Sequence, residues 1–253
     1  MLVEPVNKQY KVRADPDDWR DFLYTPYLTP LRSIVDLRPW ASPVEDQGHL
    51  GSCIGNAVAG AYELLLKKNM PDNFVDISRL FVYYNARLLE NTEREDSGAY
   101  IRDGVKAAKK YGLCSEKVWP YLINRFNITP SMESYSDART RNIKNYYRIS
   151  RIADTLDALN HDHPVVFGFK VFEGFNRLNY TRDHILEMPR PGEQPIGGHA
   201  MMMAGYDLDR QLVLCRNSFG PDWCMEGYCW IPVEYIRNEA FDSWIFDVDL
   251  IDS

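Results

Sequence analysis

The 253-residue sequence has few cysteines, no internal repeat, no low-complexity tract and no long hydrophobic run. Each shortage excludes something. Five cysteines are too few, and odd in number, for a disulfide framework of a small secreted domain. No segment approaches the roughly 18 apolar residues of a bilayer-spanning helix. The opening segment MLVEPVNKQYKVRADPDDWRDF lacks the apolar stretch of a secretory signal. Basic charge is also short: the net charge is −7, so no phosphate backbone is implied as a partner. The most basic stretch, Arg139 to Arg151, carries no nucleic-acid motif and reads as a solvated face.

What is present is an ordinary globular composition, with 45% apolar and 26% charged residues. Residues 1–34, rich in Pro, Asp and Tyr, read as an extended arm. From Ser52 to about Lys68 the residues Ile54, Ala57, Val58, Ala61 and Leu65 recur at helical spacing, giving one apolar face. Segments 78–90, 101–111 and 152–160 also read as helices, the second stopped by Gly112. Runs at 164–171, 199–206, 211–217 and 227–233 read as strands, and 173–198 as a long loop. Helices first and strands later predict an α+β fold in two lobes with a cleft between them. If Asp207-Leu208-Asp209 is a three-residue hairpin loop, His199 falls opposite Asn217, Met201 opposite Cys215 and Met203 opposite Val213.

Cys53 stands at the head of the first helix, six residues after Gln47. Packing is one reading, because free cysteine is among the most buried residue types. Nucleophilic chemistry is the other. A helix N-terminus and a neighbouring imidazolium both favour thiolate, so the thiol pKa is expected to be depressed. His199 would serve as acid and base, Asn217 would orient its ring, and Gln47 with the Cys53 N–H would stabilise an oxyanion. The presence of all four residues favours catalysis over packing. Cys114, Cys215, Cys224 and Cys229 read as structural, with a Cys224–Cys229 bridge left open. His161 and His163 read as polar loop residues rather than a metal pair.

Four blocks resemble the papain family of cysteine peptidases, the papain and cathepsin group. VDLRPWASPVEDQGHLGSC (35–53) is similar to the start of the family's mature enzyme, and GLCSEKVWPY (112–121) to the segment after its third long helix. GGHAMMMAGYD (197–207) is similar to its histidine strand, and NSFGPDWCMEGYCWIP (217–232) to its asparagine block. A cysteine followed far downstream by a histidine and then an asparagine is a known signature of the family. The resemblance implies a two-lobed fold, with a helical left lobe at about 50–125 and an antiparallel strand-rich right lobe at about 145–250. It makes 35–253 the peptidase domain and 1–34 an arm or short pro-like segment. It implies Cys53, His199, Asn217 and Gln47 as the catalytic set, and Gly98, Ser52, Gly198 and Phe219 as substrate-side residues. Phe219 takes the place of the family's shielding tryptophan.

The sequence departs from the family at Leu50, which replaces a disulfide cysteine, and at Ile54, which replaces an aromatic. Gly198, Cys224 and Met225 are further departures, and with only about 34 residues before the mature-like start the family's long propeptide is not expected. These departures suit a divergent microbial or viral branch in a cytoplasmic (reducing), virion or host-cell compartment rather than a lysosome. The implied activity is hydrolysis of peptide bonds through a thioester acyl-enzyme, with a polypeptide as substrate. The alternatives are deamidase- or transglutaminase-like acyl transfer on the same residues, or a catalytically silent binding module. No cofactor, metal, nucleic acid or membrane partner is expected. A proteinaceous inhibitor or the chain's own arm is a candidate occupant of the cleft. The arm is expected to strap the outside of the lobes rather than to fill the cleft.

Overall fold

The computed structural model describes residues 9–248, so the first eight residues of the expected arm lie outside the described residues. Helices α1 (Cys53–Asn69), α2 (Arg79–Leu89) and α3 (Ile101–Tyr111) form the first lobe. Helix α1 is buried along most of its length because α2 and α3 cover one side and the sheet covers the other. Ser78 caps α2 by accepting the Phe81 N–H, one of the donors that a helix start leaves unpaired. A fourth helix, α4 (Met132–Ala138), closes this lobe.

The second lobe is a seven-stranded, wholly antiparallel sheet. Its strands are β1 (Ile34–Asp36), β2 (Ile143–Arg148), β3 (Val165–Val171), β4 (Gly197–Asp207), β5 (Leu212–Arg216), β6 (Tyr228–Pro232) and β7 (Ala240–Val248). The order is β2-β7-β3-β4-β5-β6, with β1 pairing the far end of β4. Helices α5 (Ile152–Asn160), α6 (Glu173–Arg177) and α7 (Val233–Glu239) flank the sheet. The α+β expectation and its helices and strands hold, and α1 packs directly on β4. Among the described residues no helix is long and apolar enough to cross a membrane.

Four local expectations are corrected. The basic stretch 139–151 contains strand β2, in which Arg148 is paired with Asp21 and Asp242. Arg148 thus uses its charge inside the molecule, while Arg139, Lys144 and Arg151 stay exposed, as the solvated-face reading expects. The segment 173–198 is not all loop, because it opens with α6 and a turn of 3-10 helix at Leu178–Tyr180. The β4–β5 register also differs. Met203 faces Cys215 and Tyr206 faces Val213, because a bulge between Met203 and Gly205 adds a residue to β4 and the connection is longer than three residues.

The fourth correction concerns the arm, which does more than strap the outside. Its later part does so: Tyr24 donates to Asp157, and Arg32 bonds to Asn160 and Asp162. Its first described residues instead enter the groove between the lobes. The Val12 N–H donates to the Gly198 carbonyl at 3.0 Å, and the Gly198 N–H donates to the Tyr10 carbonyl at 3.3 Å. Once the arm forms backbone bonds there, burying Val12 adds apolar stabilisation that an exposed strap would forgo.

Candidate active site

The two lobes bring Cys53, His199, Asn217 and Gln47 to one place. Cys53 is the first residue of α1, and its thiol is approached by the backbone N–H groups of Ala200, Ile54 and Cys53 itself. The Ala200 N–H belongs to the residue after His199, so the sulfur sits against the histidine strand. His199 Nε2 lies 2.8 Å from Asn217 Oδ1. That oxygen also accepts the Ser218 N–H at 2.8 Å, which identifies it as the carbonyl side of the amide. Nε2 therefore carries the hydrogen, and in the neutral ring Nδ1 carries none.

Sequence pairing placed His199 directly opposite Asn217. The contact forms despite the shifted register, because the Asn217 side chain reaches back along the sheet. An aromatic shell surrounds the imidazole. Phe219 lies 5.1 Å away, tilted by 35°, and Phe169, Phe175 and Tyr10 lie at 5.9, 5.7 and 5.7 Å. Trp223 packs in turn on Phe219 and Phe175. The shell excludes water from the His199–Asn217 bond, and a hydrogen bond is stronger where the local dielectric is low. Phe219 was foreseen. Phe169, Phe175 and Trp223 were not, because an aromatic in a strand or loop carries no sequence mark of what it faces.

Gln47 is buried and held at three points. Its side-chain oxygen accepts from the Ser218 hydroxyl, its Nε2 donates to Leu50 O at 2.8 Å, and its backbone N–H donates to Ser218 O at 2.9 Å. An amide nitrogen has two protons, and only one is committed to Leu50. Tyr121 fixes the same segment by donating to the Gln47 carbonyl at 2.9 Å. Ser218 and Tyr121 were missed, although Ser218 directly follows Asn217 in the sequence.

The substrate-side candidates divide. Gly198 and Gly98 line the groove and are covered by the arm: an added Cβ at Gly198 would meet Val12 O at 2.1 Å. Ser52 is fully buried with its hydroxyl against Tyr121, so its side chain serves packing behind the cysteine.

With the arm in place, Cys53 and His199 are both 0% exposed. Burial pushes the Cys53 thiol up to about 12, outweighing the nearby N–H groups that favour thiolate. This corrects the expectation of a depressed thiol pKa. The helix N-terminus acts in the expected direction, but desolvation is larger in the covered state. All five cysteines are free, including Cys224 and Cys229. Among the described residues no cluster of His, Cys, Asp and Glu is arranged to hold a metal. His161 packs against Tyr27 with ring centroids 4.3 Å apart.

Comparison with known proteins agrees with this geometry. The family model for papain family cysteine protease matches residues 31–240. An uncharacterized peptidase C1-like protein of Acanthamoeba polyphaga mimivirus is 42% identical over 226 residues, covering 85% of this chain and 72% of the viral protein. Cysteine proteinase 2 of Zea mays is 27% identical over 216 residues, and the match spans 51% of that protein. Among solved structures, xylellain, a cysteine protease from Xylella fastidiosa, superposes with a TM-score of 0.89 at 35% identity, covering 98% of each chain. Digestive procathepsin L 3 of Tenebrio molitor shares the fold with a TM-score of 0.74 at 19% identity. A family match across most of the sequence, on a fold that gathers a cysteine, a histidine and an asparagine, makes this chain a member of the papain family of cysteine proteases.

Proposed function

We propose that the chain is a cysteine endopeptidase in which Cys53 is the nucleophile, His199 the acid and base, Asn217 the orienter and Gln47 an oxyanion donor. The observation that carries this reading is the buried His199–Asn217 bond set beside the thiol at the α1 N-terminus. In the open enzyme the Cys53 proton passes to His199 Nδ1 as the sulfur attacks the scissile carbonyl carbon. The carbonyl oxygen becomes an oxyanion and accepts hydrogen bonds from the uncommitted Gln47 amide N–H and the Cys53 backbone N–H. Collapse breaks the C–N bond, and Nδ1 returns the proton to the leaving amine. Water, deprotonated by His199, then attacks the thioester. The carboxylic acid product leaves, and the proton returns to the thiolate.

The arm makes the covered form latent. Tyr10–Val12 occupies the groove where a polypeptide would lie, and the chemistry waits on displacement of that segment. The arm is thus the occupant of the cleft in this form, and a polypeptide substrate takes its place in the open one.

The test is to incubate the full-length chain carrying Val12→Asp, which weakens arm docking, and the same chain with Cys53→Ala added, with a protein substrate and to analyse the products by mass spectrometry. New peptide ends that depend on Cys53 are expected. Ammonia release without new ends would favour deamidation or transglutamination. Complete absence of Cys53 labelling by an epoxide thiol reagent, even after the arm is displaced, would leave only a silent binding module.

A further inference from the structure

The arm presents two cations to two carboxylates. Lys11 Nζ lies 2.9 Å from Asp96 Oδ2 and also bonds to the Asp96 backbone carbonyl. Arg13 reaches Glu90 Oε2 at 2.9 Å, with its guanidinium 4.5 Å above the Tyr100 ring. Residues 11 and 13 share one face of an extended segment, while the intervening Val12 is buried and its N–H pairs with Gly198.

Both carboxylates are positioned by the helical lobe rather than by the arm. Asp96 Oδ1 accepts the Tyr83 hydroxyl at 2.6 Å and the Gly51 N–H at 3.0 Å, while Oδ2, which shares that N–H at 3.3 Å, faces Lys11. Glu90 Oε1 accepts the Tyr100 N–H at 2.8 Å, leaving Oε2 for Arg13. Each is therefore anchored mainly through one oxygen and turns the other toward whatever lies in the groove. When the arm leaves, two fixed carboxylate oxygens lose their cations together. A partly buried carboxylate without a partner is costly, so the groove then demands replacements.

The trough beside them is cleared for a long side chain. A Cβ on Gly51, two residues before Cys53, would sit 3.1 Å from the Lys11 Cδ. A Cβ on Gly98, at φ +74°, would sit 2.7 Å from the Lys11 Cβ. Glycine at both positions makes room for a lysine stem that ends on Asp96.

We infer that Asp96 and Glu90 are specificity-determining residues, and that the substrates are polypeptides carrying two basic side chains separated by one apolar residue. The inference rests on the peptidase reading and deepens it. The pattern basic–apolar–basic reads the same in either chain direction, so it holds whichever way the substrate runs relative to the arm.

The test uses the full-length chain with Lys11→Ala and Arg13→Ala, which removes the arm's own cations. Its substrates are quenched-fluorescence peptides containing Tyr-Lys-Val-Arg, or the same peptides with norleucine in place of Lys or Arg. Loss of a charge-assisted bond predicts a fall in kcat/KM of about tenfold or more for each norleucine. Adding Asp96→Asn should shrink the Lys/norleucine ratio, and adding Glu90→Gln the Arg/norleucine ratio. The peptide-side substitutions cannot misfold the enzyme, so they decide the matter by themselves. Cleavage of all peptides with ratios near one overturns the specificity inference and leaves the peptidase reading standing. No cleavage of any peptide, with Cys53 still labelled by iodoacetamide, overturns both.

Discussion

Replacing Val12 with aspartate tests whether the arm controls the nucleophile. Val12 is 5% exposed in the groove, and burying a valine side chain contributes about 1.5–3 kcal/mol. Losing that contribution alone shifts the docking equilibrium by roughly 10- to 150-fold, at 1.36 kcal/mol per decade. A carboxylate in the same apolar position must also be desolvated, so the shift for Val12→Asp exceeds this range. In the docked state burial pushes the thiol up to about 12, so it is held as the unreactive protonated form at pH 7. It is also shielded from solvent. The assay is the rate of Cys53 carboxymethylation by iodoacetamide at pH 7, followed by mass spectrometry of the Cys53 peptide. The rate for Val12→Asp should rise at least tenfold, and Val12→Ala should move it in the same direction by less. Circular dichroism confirms that the variants remain folded. If folded Val12→Asp reacts no faster than the parent chain, the arm does not gate the thiol and the argument from burial fails.

Three further outcomes follow from the same geometry. Gln47→Ala should lower kcat by about 10²–10³ with little change in KM, as expected for an oxyanion donor; an unchanged kcat removes Gln47 from that role. Glu63→Ala should destabilise the fold by about 3 kcal/mol or more, read as a lower urea midpoint. Glu63 accepts the Ile77 N–H at 2.7 Å and the Ser42 hydroxyl, and lies near the buried Arg216 charge. A loss under about 1 kcal/mol would mean that this network relaxes freely. Arm docking should tighten as pH falls. Burial, then the charge of the arm's Asp15, pushes Asp242 up to about 7, so docking takes up a proton that the open form releases. The docking contribution is fully present only below the ordinary carboxylate range at about 4 and is lost progressively as pH rises to about 7. The hydrogen-exchange protection factor of the Val12 amide should therefore decline from pH 5 to 7, and a rise would contradict the sign.

The helices α1, α2 and α3 were legible from local pattern, α1 by apolar residues at helical spacing and α3 by its stop at Gly112. The strands from β3 to β6 were legible as apolar, β-branched runs. Strand β2 was hidden because Lys144, Asn145 and Arg148 mask its period, and Arg148 finds its counter-charges at positions 21 and 242. The β4–β5 register was misjudged because a bulge is a local backbone event with no compositional mark.

The four residues of the candidate site could be named from the chain alone, since their types and motif positions are local properties. So could the direction in which a helix N-terminus acts on Cys53. Three-dimensional packing was needed to establish that the arm enters the groove, that burial then overrides that helix at the thiol, and that Lys11 and Arg13 meet Asp96 and Glu90. These outcomes depend on residues from about 80 to nearly 190 positions apart coming together. Desolvation and charge pairing are set by what surrounds a group in space, and no local pattern in the chain encodes that.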